Sequence, residues 1–216
     1  MKSLTQHITE KLVLKSNSKI RKSIYNDFEY VDLALPSGTL WAKCNIGAKN
    51  ETDAGDYFAW GETETKDTYN WNTYKFGNTD NILKYNESDK LTVLENEDDA
   101  AYKILGSECS IPTIMQFLEL KEKTKKEFVF NYKESGVNGF LLTSKYNDNT
   151  LFFPVCGYKL GKKLYEENNE GFYHTTALHQ DDILKCYNFS LRKHTPFILE
   201  HAIRTYGASI RAVKTL

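Results

Sequence analysis

The chain has 216 residues, with 28 Lys and Arg against 29 Asp and Glu and a formal net charge of -1. That length suits one large domain or a domain with an appendage, and the balanced charge lacks the basic footprint of nucleic-acid binding. Aromatic residues reach 13%, enough to fill a sizeable core, and no apolar run approaches the roughly 18 residues of a membrane span.

Residues 1–27 contain no Gly, Pro or Trp and are rich in Lys and Ser. They lack the continuous apolar stretch and cleavage site of a secretory signal, so synthesis in the cytoplasm without export is expected. Ser3 is placed to N-cap a short helix, with Gln6 completing a capping box. Leu4, Ile8 and Leu12 then share one face at four-residue spacing. So short a helix is unstable alone in water and needs a surface for its apolar stripe, either its own globule or another protein. The pattern Ser-Leu-x-x-x-Ile-x-Glu-Lys-Leu-x-Leu-x-x-x-Ser-Lys-Ile is similar to N-terminal arms of virion proteins in crAss-like bacteriophages. The resemblance covers about the first 20 residues. It implies a docking arm for a capsid, fibre or tail protein, with Leu4, Ile8 and Leu12 as the partner-docking residues.

A globule over residues 28–216 follows. Tyr30–Leu35 alternates like a strand with one wet face, Pro36-Ser37-Gly38 supplies turn chemistry, and Thr39–Ala42 resumes a strand. Gly55–Glu62 repeats bulky rings between glycines. The wording from Tyr30 to Glu62 closely resembles the Fibrobacter succinogenes major paralogous domain family, which implies a C-type-lectin-like fold. Further pieces in matching order are Leu94–Ala101, Ile111-Pro-Thr113, Gly136-Val-Asn-Gly139, Phe152-Phe-Pro154 with Gly157-Tyr158, and Arg204-x-x-Gly207-x-Ser-Ile-Arg211. Three pieces depart from the family: Cys109-Ser-Ile stands for Trp-Arg-Met, Tyr173-His-Thr-Thr176 for Tyr-Trp-Ser-Ser, and Arg211-Ala212 for Arg-Pro. No ligand contact is inferred from the missing Trp or Arg.

Thr63–Asp89 is polar and reads as loop with short strands. Asn96 is placed to N-cap a helix with Glu97, Asp98 and Asp99 in its first turn, Ala101, Ile104 and Leu105 inward, and Gly106 as its stop. Thr113 and Gln116 form a second capping box, with Ile114, Phe117, Leu118 and Leu120 as the apolar face. Beyond Lys126 the period becomes two. Glu127–Tyr132, Gly139–Ser144, Leu151–Val155, Phe172–Leu178, Leu184–Ser190 and Ser209–Val213 read as strands. Two helices followed by antiparallel strands predict an α+β fold.

Candidate chemistry is sparse. Glu95, Glu97, Asp98 and Asp99 would suit a hard cation such as structural calcium, but no EF-hand loop is present. Acidic residues in a first helical turn are also stabilising in themselves, and capping is the favoured role. The chain has no Glu-Pro-Asn or Gln-Pro-Asp sugar-chelating motif. Its five histidines lack paired metal spacing, so neither a metal site nor a cofactor is expected. Cys44, Cys109, Cys156 and Cys186 are widely spread and read as buried free thiols. Formylglycine-generating enzymes, which share the implied fold, use cysteines, but Cys156 and Cys186 lie in no such motif. Gly157-Tyr-Lys-Leu-Gly161 lacks the ending of a phosphate loop, and no catalytic residue is assigned.

A recognition surface remains. In related lectin-like folds the face before the last strands carries adaptable contacts. Here it corresponds to Phe172–Tyr206, with Tyr173, His174, His179, Tyr187, Arg192, His194 and Tyr206 as ligand-binding candidates. Such planar groups give large contacts at modest entropy cost. Some of these tyrosines also suit core packing, as do Trp41, Trp60 and Trp71. The combined expectation is a non-enzymatic phage structural protein: a head fibre, decoration or tail-associated component of the virion. It would bind a bacterial surface glycan or protein, or only decorate the particle, in oligomeric or multivalent display. An intracellular or formylglycine-generating enzyme of the same fold is the alternative.

Overall fold

The computed structural model describes residues 28–215, so the expected arm with Leu4, Ile8 and Leu12 lies outside the described residues. The described chain is α+β and mostly strand. Its first sheet joins β1 (Tyr30–Asp32), β2 (Thr39–Ala42), β14 (Val213–Thr215) and β5 (Cys109–Ser110), in the order β1-β2-β14-β5. The first hairpin turns at Gly38, whose φ of 72° is the conformation glycine tolerates. β1 stops short of Leu35 because Asp32 Oδ1 accepts from the Ala34 amide at 2.7 Å and Ala34 takes a φ of 50°. Such a side-chain turn competes with the ladder.

Gly55–Glu62 forms no hairpin. It is a buried loop in which Phe58 bridges Ala208 and the Trp60 indole donates to the Thr175 carbonyl at 3.0 Å. A short pair, β3 (Gly77–Asn78) and β4 (Asn81–Ile82), follows. Helix α1 (Ala100–Leu105) is capped by Asp99 and not by Asn96, since the Asp99 carboxylate accepts from the Ala101 and Tyr102 amides. Asn96–Asp98 is a separate 3-10 turn. Gly106, at φ 108°, ends α1, while Ile104 points to solvent instead of inward. Helix α2 (Ile114–Lys123) begins with the expected Thr113–Gln116 capping box and buries Phe117 and Leu120.

A three-stranded antiparallel sheet follows: β6 (Thr124–Val129), β7 (Gly139–Ser144) and β8 (Thr150–Pro154). β6 starts directly at the end of α2 and ends early because Asn131 and Lys133 adopt positive φ. The last sheet has the order β10-β9-β11-β12-β13. Its strands are β9 (Cys156–Leu160), β10 (Lys163–Glu167), β11 (Glu170–Leu178), β12 (Lys185–Arg192) and β13 (Thr195–Ile203). β9, β10 and β13 were not among the expected strands. Of Ser209–Val213, Val213 opens β14 and Ser209 makes a single bridge to Tyr173 of the last sheet.

Two large apolar clusters hold these layers, with a smaller third of Phe172, Ala202 and Ala208 against Tyr158 and Tyr206. One gathers Trp60, Tyr74, Phe76 and Tyr85 with Leu178, Cys186 and Ile210. The other packs Phe117 and Leu120 of α2 with Trp41, Phe140, Phe153, Tyr173, Phe189 and Leu191. Central strand β11 is therefore covered on both faces.

Candidate recognition surface

The seven predicted contact residues separate into four places. Tyr173 and His174 are core residues, 0% and 1% exposed, and are corrected from surface contacts to scaffold. Tyr173 points into the second cluster and its hydroxyl donates to the Pro154 carbonyl at 2.7 Å. His174 faces the other way. Its Nε2–H donates to the Phe58 carbonyl at 2.7 Å, and its Nδ1 accepts from the Asn188 amide at 2.9 Å. Burial outweighs the Phe58 hydrogen bond and lowers the imidazole pKa to about 4, so the ring is neutral.

His179 and Tyr187 meet near the edge of the sheet, where His201, cross-strand partner of Tyr187, completes the cluster. Ring centroids are 4.9 Å apart for His179–Tyr187 and 4.7 Å for His179–His201. His194 sits exposed in the turn between β12 and β13, away from strand pairing.

Arg192 and Tyr206 line one groove of about 340 Å³. Register places Glu170 of β11 opposite Arg192 of β12, and Phe172 opposite Ser190, so these side chains share a face. Arg192 binds Glu200 through two nitrogens, at 2.7 and 2.9 Å, and Glu170 at 2.9 Å. The Glu170 bond, partly opposed by burial, and then Glu200 hold the guanidinium above its ordinary range. Beside this network Tyr206 stacks on Tyr158, centroids 5.5 Å apart and planes 2° apart, and Tyr158 stacks on Tyr165 at 5.8 Å and 19°. Phe172 packs against Tyr158 at 5.6 Å. Tyr158 and Tyr165 were missed in the sequence. The readable signal was Gly161-Lys162, a two-residue hairpin turn with Gly161 at φ 59°, across which Leu160 pairs with Lys163.

Other candidate chemistry has structural partners. Glu95, Glu97 and Asp98 do converge, but the Lys84 ammonium lies 2.6 Å from each of them. It takes the place a cation would hold. Asp98 also pairs with Lys75 at 2.6 Å. Cys109, Cys156 and Cys186 are buried free thiols, and Cys44 is half-buried. Burial pushes the Cys156 and Cys186 thiols up, and they belong to different apolar clusters. Gly157-Tyr-Lys-Leu-Gly161 is part of a hairpin and not a phosphate cradle. A larger recess of about 490 Å³ beside Phe28 is bordered by the ion pairs Lys43–Glu29 and Lys133–Glu51.

Trp41 and Trp60 are fully buried, and Trp71 packs partly buried on the first cluster. Arg204 and Arg211 of the closing motif are also fully buried. No helix among the described residues is long and apolar enough to cross a membrane. Compared with protein-family models, curated proteins and solved structures, the chain gives no match.

Proposed function

We propose that this chain is a non-enzymatic component of a bacteriophage particle, with residues 1–27 as its docking arm. The globule is a C-type-lectin-like domain displayed for attachment to the host surface. The observation that carries the recognition role is the groove of the five-stranded sheet. There an arginine–carboxylate network and stacked tyrosines reach solvent in one recess, while the neighbouring Tyr173, His174, Thr175 and Asn188 of the same sheet are buried. The lectin-like fold is supported by where the family-like pieces lie. Leu94–Ala101 leads into α1, Ile111-Pro-Thr113 leads into α2, and both arginines of the closing motif are interior scaffold. An oxidising enzyme of the formylglycine-generating type is less well supported, because buried thiols with raised pKa supply little thiolate.

Multivalent display on a particle would compensate for weak single-site affinity. Mass spectrometry of purified virions that encode this chain is expected to find it at structural stoichiometry. Deletion of residues 1–25 is expected to remove it from particles while leaving the globule folded. Absence from virions would overturn the assignment, and unchanged incorporation of the truncated chain would overturn the docking role.

A further inference from the structure

We propose that the Tyr158–Tyr206–Arg192 groove binds a neutral glycan without calcium. The inference rests on the recognition reading and names its ligand class. Three features of the site select that class.

The volume, about 340 Å³, lies at the small end of ligand pockets and suits one or two sugar rings. Tyr158 is held between Tyr165 and Tyr206, so half-buried Tyr206, at the end of the stack, is the ring on which the C–H face of a pyranose would lie flat. Glu200 and Arg192 then offer planar polar groups, already fixed by their bidentate bond, to adjacent hydroxyls. A ligand hydroxyl can donate to a carboxylate oxygen, which has lone pairs to spare beyond the Arg192 bonds.

Charge decides against acidic ligands. Glu170 and Glu200 outnumber Arg192, and Lys185, which also lines the groove, is offset by Asp182 at 2.9 Å. A sialic acid, uronate or phosphate would meet net negative charge. An extended peptide is disfavoured for a different reason. The groove lies on a sheet face, over β11, β12 and β13, whose facing backbones are already paired, so a peptide lying in it cannot join the ladder as an added strand. Calcium has no vacant role here, because the guanidinium already neutralises the carboxylates.

The test uses the full-length protein, in EDTA, on an array of glucose, galactose, mannose and N-acetylglucosamine oligosaccharides beside sialylated and uronate-containing ones. Binding is expected to neutral members only. Tyr206→Leu and Glu200→Gln, each with a Tm near that of the parent, should weaken it at least tenfold. A silent array overturns the proposal, as does binding confined to acidic glycans, lost in EDTA, or unchanged in both variants. Binding to cells of the bacterium that the virions infect is scored in parallel. If parent and Tyr206→Leu bind those cells equally while the array is silent, recognition stands and the groove assignment fails. If neither binds cells or array, both fail.

Discussion

Arg204 is a cation with no exposed surface and no carboxylate among the partners it meets in the interior. Its guanidinium donates to the Tyr74 hydroxyl and to the carbonyls of Lys84, Tyr85 and Ile183, at 3.0 to 3.2 Å. The rings of Trp60, Tyr74, Phe76 and Tyr85 surround it at 5.0 to 5.9 Å. The cost of burying the charge is offset only because every face of a planar group is used. Arg204→Lys keeps the charge but cannot reach this set of acceptors. A loss of about 3 kcal/mol or more in urea unfolding is expected, and a loss below about 1 kcal/mol would refute the role. His174 makes the opposite electrostatic choice by staying neutral. Its pKa is about 4 in the fold against 6.5 ordinarily, so the unfolded chain binds the proton more readily between those values. Stability is therefore full above pH 6.5 and falls as the pH drops towards 4, by roughly 3 kcal/mol for this group. Urea midpoints across that window should slope for the parent and flatten for His174→Gln. Neither role was legible in the sequence. An arginine ordinarily reads as surface, and strand alternation offers a wet face that β11, sandwiched between two clusters, does not have.

Local elements were read more successfully where side chain and backbone are neighbours in sequence. The Thr113–Gln116 box, the Gly106 stop and the Pro36-Ser37-Gly38 turn all depend on contacts a few residues long, and the structure contains each. The acidic run before α1 shows where that legibility ends. Its local part was misplaced by three residues, since Asp99 holds the cap and its second oxygen also accepts from the Ile111 amide at 2.8 Å. Its nonlocal part depends on Lys84, ten or more residues earlier. Burial works against the Lys84 charge, but its hydrogen bonds to Asp98, Glu95 and Glu97 outweigh it and hold the ammonium well above its ordinary range. Removing that ammonium would leave three converging carboxylates, the ligand type that calcium takes, with Lys75 still on the far oxygen of Asp98. Lys84→Ala is expected to lower the Tm and to recover part of the loss when millimolar calcium is added. The parent's Tm should not respond. A calcium response in the parent, or none in the variant, would show that Lys84 does not hold the cation position.

At the scale of the molecule, the α+β class followed from two capped helices and the later change to a period of two. The groove did not follow, because β9, β11, β12, β13 and Tyr206 converge only through tertiary pairing. The same nonlocal wiring dictates how the globule unfolds. β1 and β14 both pair with β2, so opposite ends of the described chain share one sheet. Ala54 packs against both apolar clusters, and β11 sends Tyr173 into one and Leu178 into the other. Neither cluster can open without stripping its neighbour, so a single cooperative transition is the physical consequence. The cysteines report on it at separate points: Cys186 in the first cluster, Cys156 in the second and Cys109 in the terminal sheet. With a thiol reagent, half-buried Cys44 should react first in the native protein. The other three should become reactive together, at one denaturant concentration that matches the loss of far-UV circular dichroism. Exposure of Cys186 well before Cys156 would instead mean that the loop-rich layer around Arg204 is a separate unit. In that case the groove, built on the same five-stranded sheet, would be less rigid than its ion pairs imply.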